Sequence, residues 1–266
     1  MAAPIQPFDL FAPGAATALV LLGTRLGGML LVAPMFAARN VPVRVRTGLL
    51  VLLTALLQPV ALAHMAPGAA IAPATMLAET VVGFVFGLGI ALLVGAAEAA
   101  GEIMGVQIGL SGAALFDPTS GHQSTALAQF VSMFVLTLLL AANVHIVMLE
   151  SVADSLRRLP IGQPVQLREG MLAMVRAGTL LFSLGVRFAA PVIATILVAN
   201  TAVAILGRAA PQLNVLSVAF PVQIGLGLVA LGLGLPFLAF ALGGWRGEYE
   251  GTLHGVLGAL TRGGAR

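Results

Sequence analysis

Long apolar runs alternate along this chain with short polar punctuation. Six runs are long enough to cross a bilayer as helices, at about 12–35, 47–66, 74–97, 124–149, 179–206 and 217–244, since a spanning helix needs about 20 mostly apolar residues. No charged residue falls within 47–78, 118–149 or 209–245. A helix apolar on every face belongs in lipid or inside protein. The runs are apolar at odd and even positions alike, unlike the alternation of a transmembrane barrel strand. The pattern predicts an all-α membrane protein with about six long hydrophobic helices, some kinked or re-entrant. Pro34, Pro42, Pro59, Pro67 and Pro73 punctuate the first third, and Asp117-Pro118 opens the polar patch DPTSGHQST. Pro160 and Pro164 lie in a second patch, RRLPIGQPVQLREG, and Pro211 in a third, GRAAPQLN. With no tandem repeat and no low-complexity tail, residues 1–266 read as a single membrane domain.

Composition sharpens this. Of 266 residues, 59% are hydrophobic and 9% charged, with a mean hydropathy of +1.04, whereas soluble domains carry roughly 25% charged residues. An ordinary soluble enzyme or nucleic-acid binder is thereby excluded. The net charge of +3 comes from 13 basic residues, all Arg and dispersed, against 10 acidic ones, which is not a nucleic-acid footprint. The absence of Cys excludes disulfides and thiolate sites. The absence of Lys excludes a P-loop lysine and a Schiff base. The first charge is Asp9 and the first cation Arg25, unlike a secretory signal peptide, so the N-terminal segment is expected to be retained.

Orientation presents a conflict. Arg39, Arg44 and Arg46 place the loop 36–46 in the cytoplasm by the positive-inside rule. Six simple spans then put Arg157, Arg158, Arg168 and Arg176 outside, against the same rule. Either a short extra crossing lies at 103–116, or the chain is not laid in lipid as a standard bundle. Irregular backbone at membrane depth is tolerated only where protein or a water-filled cavity surrounds it.

Ionisable groups within apolar runs are candidate functional residues. Here they are Arg25, Glu79, Glu98, Glu102, Arg187 and Arg208. Glu98 and Glu102, four apart, share a helix face. They suit an ion or proton path, or alternatively interhelical pairing and caps. Because Arg25 and the Glu98/Glu102 pair have no assured partners in the sequence, the chain is expected to depend on other subunits. His64, His122, His145 and His254 make no metal-ligand spacing, so no metal and no cofactor is expected.

The stretch 101–123, GEIMGVQIGLSGAALFDPTSGHQ, sets Gly101, Gly105, Gly109 and Gly112 ahead of Asp117-Pro118. It suits a re-entrant loop or constriction, or alternatively a small-residue packing face. Gly109-Leu110-Ser111-Gly112 also matches the GxSG of intramembrane serine proteases. That chemistry needs a His near the Ser, yet 217–244 contains none and His254 lies beyond it.

Taken in order, RLGGMLLVAPMF (25–36), ETVVGFVFGLGIAL (79–92), AEAAGEIMGVQIGLSGAALFDPTSG (97–121), NVHIVMLESVADSLRRLPIG (143–162) and the segment 182–228 with GRAAPQLNVLSVAFP form a recognisable series. Over about 15–245 the chain resembles the FliR family of flagellar biosynthesis proteins, and more distantly its counterparts in virulence type III secretion. The resemblance implies a non-enzymatic subunit packed in a helical export-gate assembly of the bacterial inner membrane, at the flagellar basal body. It implies FliP, FliQ and FlhB-type partners, unfolded protein substrates in transit and contact with membrane lipids, with no nucleotide or nucleic acid. It further implies that 105–122 is a channel plug, carried by Gly105, Gly109, Leu110, Ser111, Gly112, Leu115, Phe116, Asp117 and Pro118. Gly112 departs from the bulky residue that family members often carry after the Ser. Arg208, Pro211, Gln212 and Asn214 are expected to cap the turn between the last two long helices, and Arg157 and Arg158 to face anionic lipid or acidic partner groups. The alternatives are a virulence secretion gate subunit, an ion-coupled transporter using Glu79, Glu98 and Glu102, and the GxSG protease.

Overall fold

A computed structural model describes residues 12–38, 41–110, 125–210 and 215–261. Every regular element among them is helical: α1 (Ala15–Val32), α2 (Pro34–Ala37), α3 (Val43–Ala63), α4 (Pro73–Ile108), α5 (Ala126–Ala141), α6 (Val144–Arg158), α7 (Leu167–Ala209), α8 (Val215–Ala241), a 3-10 turn (Leu242–Gly244) and α9 (Trp245–Thr261). Five helical stretches are long and apolar enough to cross a membrane, or six if the broken pair α5–α6 is one span. The chain therefore has the all-α architecture of a membrane protein with about six long apolar helices.

The helices differ from the apolar runs in four places. α4 does not stop near residue 97 but continues through Glu98 and Glu102 to Ile108. Its late glycines do not break it, and Gly101 lets the Ala128 backbone approach more closely than a Cβ would permit. The run 124–149 is broken into α5 and α6 at Asn143, whose φ of 58° lies in the left-handed region. Asn is among the few side chains that tolerate that geometry. α7 starts at Leu167 rather than near 179, because the breakers Pro160 and Pro164 already lie behind it. Glu169 in its first turn suits the positive end of the helix dipole. α9 was not expected at all: Arg246, Glu248 and Glu250 interrupt the apolar run, yet Arg246 and Glu250 pair across one turn at 2.8 Å and support the helix.

The chain divides into two compact units. The first takes the chain up to Leu92, Leu140–Gly178 and the chain from Arg246. Its core is formed by Leu21, Leu22, Leu26, Met29 and Leu30 of α1, Val147, Met148, Val152 and Leu156 of α6, and Tyr249, Leu253 and Leu260 of α9. α6 is amphipathic, with Glu150, Asp154, Arg157 and Arg158 exposed opposite that core face. The second unit takes Leu93–Leu139 and Thr179–Trp245. There α4 buries Ala96, Ala97, Ala100, Met104 and Ile108, α5 buries Leu127, Ala128, Val131 and Val135, and α7 buries Ala189, Val192, Ile196 and Ala199. α8 leaves large apolar side chains outside, with Leu233 77% and Phe240 82% exposed. Such a surface needs lipid or neighbouring subunits as its solvent.

Candidate functional site

Two of the charged candidates come together in the first unit. Arg25 projects from α1 with no exposed surface at all, and a buried charge must be paired. Its Nε donates to Glu79 Oε2 at 2.6 Å. Its Nη1 donates to Ser155 Oγ at 3.1 Å, and both Nη atoms donate to the Leu159 carbonyl at 3.1 Å. The second Glu79 oxygen accepts the Gly162 N–H at 2.8 Å. The pair thus ties α1 and α4 to the end of α6 and to the corner that leads into α7. Arg25 consequently finds its partners inside the chain, and the expectation that it needs another subunit for this is corrected. Sequence reasoning missed Ser155, Leu159 and Gly162, because two of the three act through backbone groups that leave no side-chain signal.

The candidate gate segment begins where α4 ends, in the second unit. Gly109 takes φ 87°, the Gly109 N–H donates to the Val106 carbonyl at 3.1 Å, and the Leu110 N–H donates to the Gly105 carbonyl at 3.0 Å. This is a Schellman cap, which favours Gly at the left-handed position. At the far side, Thr125 caps α5, its Oγ1 accepting the Ala128 N–H at 3.2 Å. Glu102 Oε1 accepts the Thr125 N–H at 2.7 Å. A Cβ on Gly105 would lie 3.1 Å from Thr125 Oγ1. The last turns of α4 and the start of α5 therefore meet, joined by the Glu102–Thr125 contact. Ser111, Gly112, Leu115, Phe116, Asp117 and Pro118 lie outside the described residues, as do Arg39, His122, Pro211, Gln212 and Asn214.

The remaining charges are not gathered. Glu98 is exposed one turn before Glu102, and Arg187 is exposed on α7. Arg208 is exposed in the last turn of α7, where a cation suits the carbonyl end of the helix. Glu79 belongs to the first unit, where it is held by Arg25 and the Gly162 N–H, whereas Glu98 and Glu102 belong to the second. Among the described residues, no group of three or more His, Asp or Glu could hold a metal ion.

Residues 16–245 match the family described as bacterial export proteins, family 1. Over 215 residues the chain is 35% identical to the flagellar biosynthetic protein FliR of Pectobacterium carotovorum subsp. carotovorum, covering 80% of this chain and 82% of that relative. The chain belongs to the FliR family of bacterial export proteins. It is 31% identical over 216 residues to the flagellar biosynthetic protein FliR of Escherichia coli (strain K12), covering 81% and 83% of the two chains. It is 30% identical over 240 residues to that of Caulobacter vibrioides (strain ATCC 19089 / CIP 103742 / CB 15), covering 88% and 93%. Arg25, Glu79 and the whole of 105–122 fall within the FliR-family match. All but the first residue of α9 falls after it.

Proposed function

We propose that this chain is a non-enzymatic subunit of the flagellar type III protein export gate in the bacterial inner membrane, at the basal body. It assembles there with FliP and FliQ, in association with FlhB, around a conduit for unfolded flagellar proteins. The observation that carries this reading is the family match over 16–245, together with relatives named as flagellar biosynthetic proteins along four-fifths of both chains. The exposed apolar faces of α8 add support, since neighbouring subunits and lipid would cover them.

Within that assembly the segment 105–122 is the plug. A pore for unfolded chains must hold back ions at rest, and an apolar constriction does so by dewetting. Leu110, Ala113, Ala114, Leu115 and Phe116 supply the apolar bulk. With Gly112 after the Ser, the seal rests on Leu115 and Phe116. The Glu102–Thr125 contact supports this reading, because it joins the helices that flank the segment. The energy for transport comes from other components, since a chain without Lys has no Walker-type nucleotide site.

Two measurements test the proposal. Co-purification in mild detergent is expected to recover FliP and FliQ with this chain. The double variant Leu115→Ala/Phe116→Ala is expected to raise ion leak through the reconstituted gate at least several-fold. A conductance equal to that of the parent would rule out the plug.

A further inference from the structure

Arg187 is the only charged residue between Arg176 and Arg208, and it lies inside α7 with its side chain exposed. The helix is already committed on its other side. Gly185, Ala189, Val192, Ile196 and Ala199 form its buried face. A Cβ at Gly185 would stand 3.2 Å from the Ala96 carbonyl oxygen and 3.5 Å from the Ala99 Cβ, both on α4. At 3.6 residues per turn, Arg187 is rotated by about 200° from Gly185, away from that contact. Among the described residues of the second unit, the acids are Glu98 and Glu102. Glu102 accepts the Thr125 N–H. Glu98 is exposed, and it is rotated from Ala96 by about the same 200°, away from α7. Arg187 accordingly makes no ion pair among the described residues.

The backbone at the same place also lacks a partner. Pro191 stands inside α7, and proline has no N–H to give the carbonyl four residues before it, which is that of Arg187. A guanidinium and a carbonyl without its helical donor thus occur together. The exposed face around them is otherwise apolar or small, with Val198 70% exposed and Ala190, Ala194 and Thr201 exposed beside it. Hydrocarbon is the wrong neighbour for the charge, since ionisable groups within membrane helices face protein or water-filled cavities. Bulk water is the wrong neighbour for the apolar surface around it. An apolar helix that carries a carboxylate suits both. The first unit uses that solution internally, where Arg25, also set within an apolar run, is paired with Glu79 at 2.6 Å.

We infer that the exposed face of α7 around Arg187 is a docking surface for an apolar helix of a neighbouring gate subunit, and that this helix brings an Asp or Glu to the Arg187 guanidinium. The inference rests on the gate reading for the presence of neighbours, and adds to it the surface they use and the chemistry of the contact.

The test uses the full chain produced together with the other gate subunits and purified in mild detergent. Arg187→Leu suits a lipid-facing position but leaves a partner's carboxylate unpaired, and removing one member of a buried pair is costly. Arg187→Leu and Arg187→Glu are expected to lower recovery of the neighbouring subunits at least fivefold, with the amount of this chain in membranes unchanged. Arg187→Lys, which keeps the charge, is expected to stay within twofold of the parent. A photo-crosslinking side chain at Ala194, on the same face, is expected to join a partner segment that has an Asp or Glu within an apolar run. Undiminished recovery with Arg187→Leu overturns the inference, as does an adduct formed only with lipid or only within this chain. Loss of the chain itself from membranes in both the Leu and Glu variants also overturns it, because Arg187 would then serve folding. If the parent chain co-purifies with no other gate subunit, the gate reading falls and the docking surface with it. If the parent recovers them and both variants do so equally, the inference falls alone.

Discussion

At the scale of single residues, glycine has opposite consequences in different parts of this chain. At Gly83 it lets the α1 backbone approach, and an added Cβ would overlap the carbonyl of Arg25. At Gly225 nothing lies within 4 Å of where a Cβ would stand, so there glycine only lowers helix propensity. Gly83→Ala is therefore expected to destabilise the purified subunit by about 1–3 kcal/mol, the usual cost of overpacking. Gly225→Ala is expected to stabilise it by roughly 0.5–1 kcal/mol. Unfolding midpoints of the two variants in detergent should move in opposite directions, and equal shifts would contradict this account of α1–α4 packing. Nothing in the sequence separates these two glycines, since both sit in apolar surroundings among 32 of their kind.

At the scale of elements, what the chain does at its breaks matters as much as its helices. Asn143 separates α5 from α6 with φ 58°, and the apolar pattern on either side reads as continuous. A left-handed residue costs an ordinary side chain roughly 1–2 kcal/mol. Asn143→Gly is thus expected to leave the thermal midpoint near that of the parent, while Asn143→Val lowers stability by about that amount. Should valine be tolerated as well as glycine, the break owes nothing to backbone conformation. The end of α4 follows the same logic, although the apolar run by itself stops near residue 97 and the helix continues to Ile108. Gly109 marks a Schellman cap, and Ser124-Thr125 before an apolar run is an N-cap signal. The contact between the two ends was not legible, because it depends on Glu102 reaching across 23 positions to a backbone N–H.

At the scale of the whole molecule, α9 is the element that a family comparison undervalues. The FliR-family match ends at residue 245, yet α9 contributes Tyr249, Leu253, Val256 and Leu260 to the core of the first unit. The Leu260 carbonyl accepts the Gln166 N–H at 2.9 Å, just before α7 starts. The Tyr249 hydroxyl donates to the Phe86 carbonyl at 3.3 Å, and the Tyr249 ring lies against Gly89. Truncation after Gly244 is therefore expected to abolish recovery of the subunit from membranes and to fail to restore swimming in a strain lacking it. Restoration of swimming by the truncated chain would show α9 to be dispensable.

Membrane character, helical class and family were legible in the sequence because each depends on properties summed along the chain: apolar length, absence of charge and the order of short motifs. The glycine-rich segment stood out for the same reason, being a local departure in composition. The partners of Arg25 were decided only by the tertiary structure. They lie 54, 130, 134 and 137 positions away; the last of these, Gly162, is joined through Glu79, and it and the Leu159 carbonyl are backbone groups that any residue type carries. A buried guanidinium must find acceptors, so the sequence determined that Arg25 would be paired. Which acceptors it finds depends on how α1, α4 and the α6–α7 corner pack, and packing is a property of surfaces that meet rather than of residues in order.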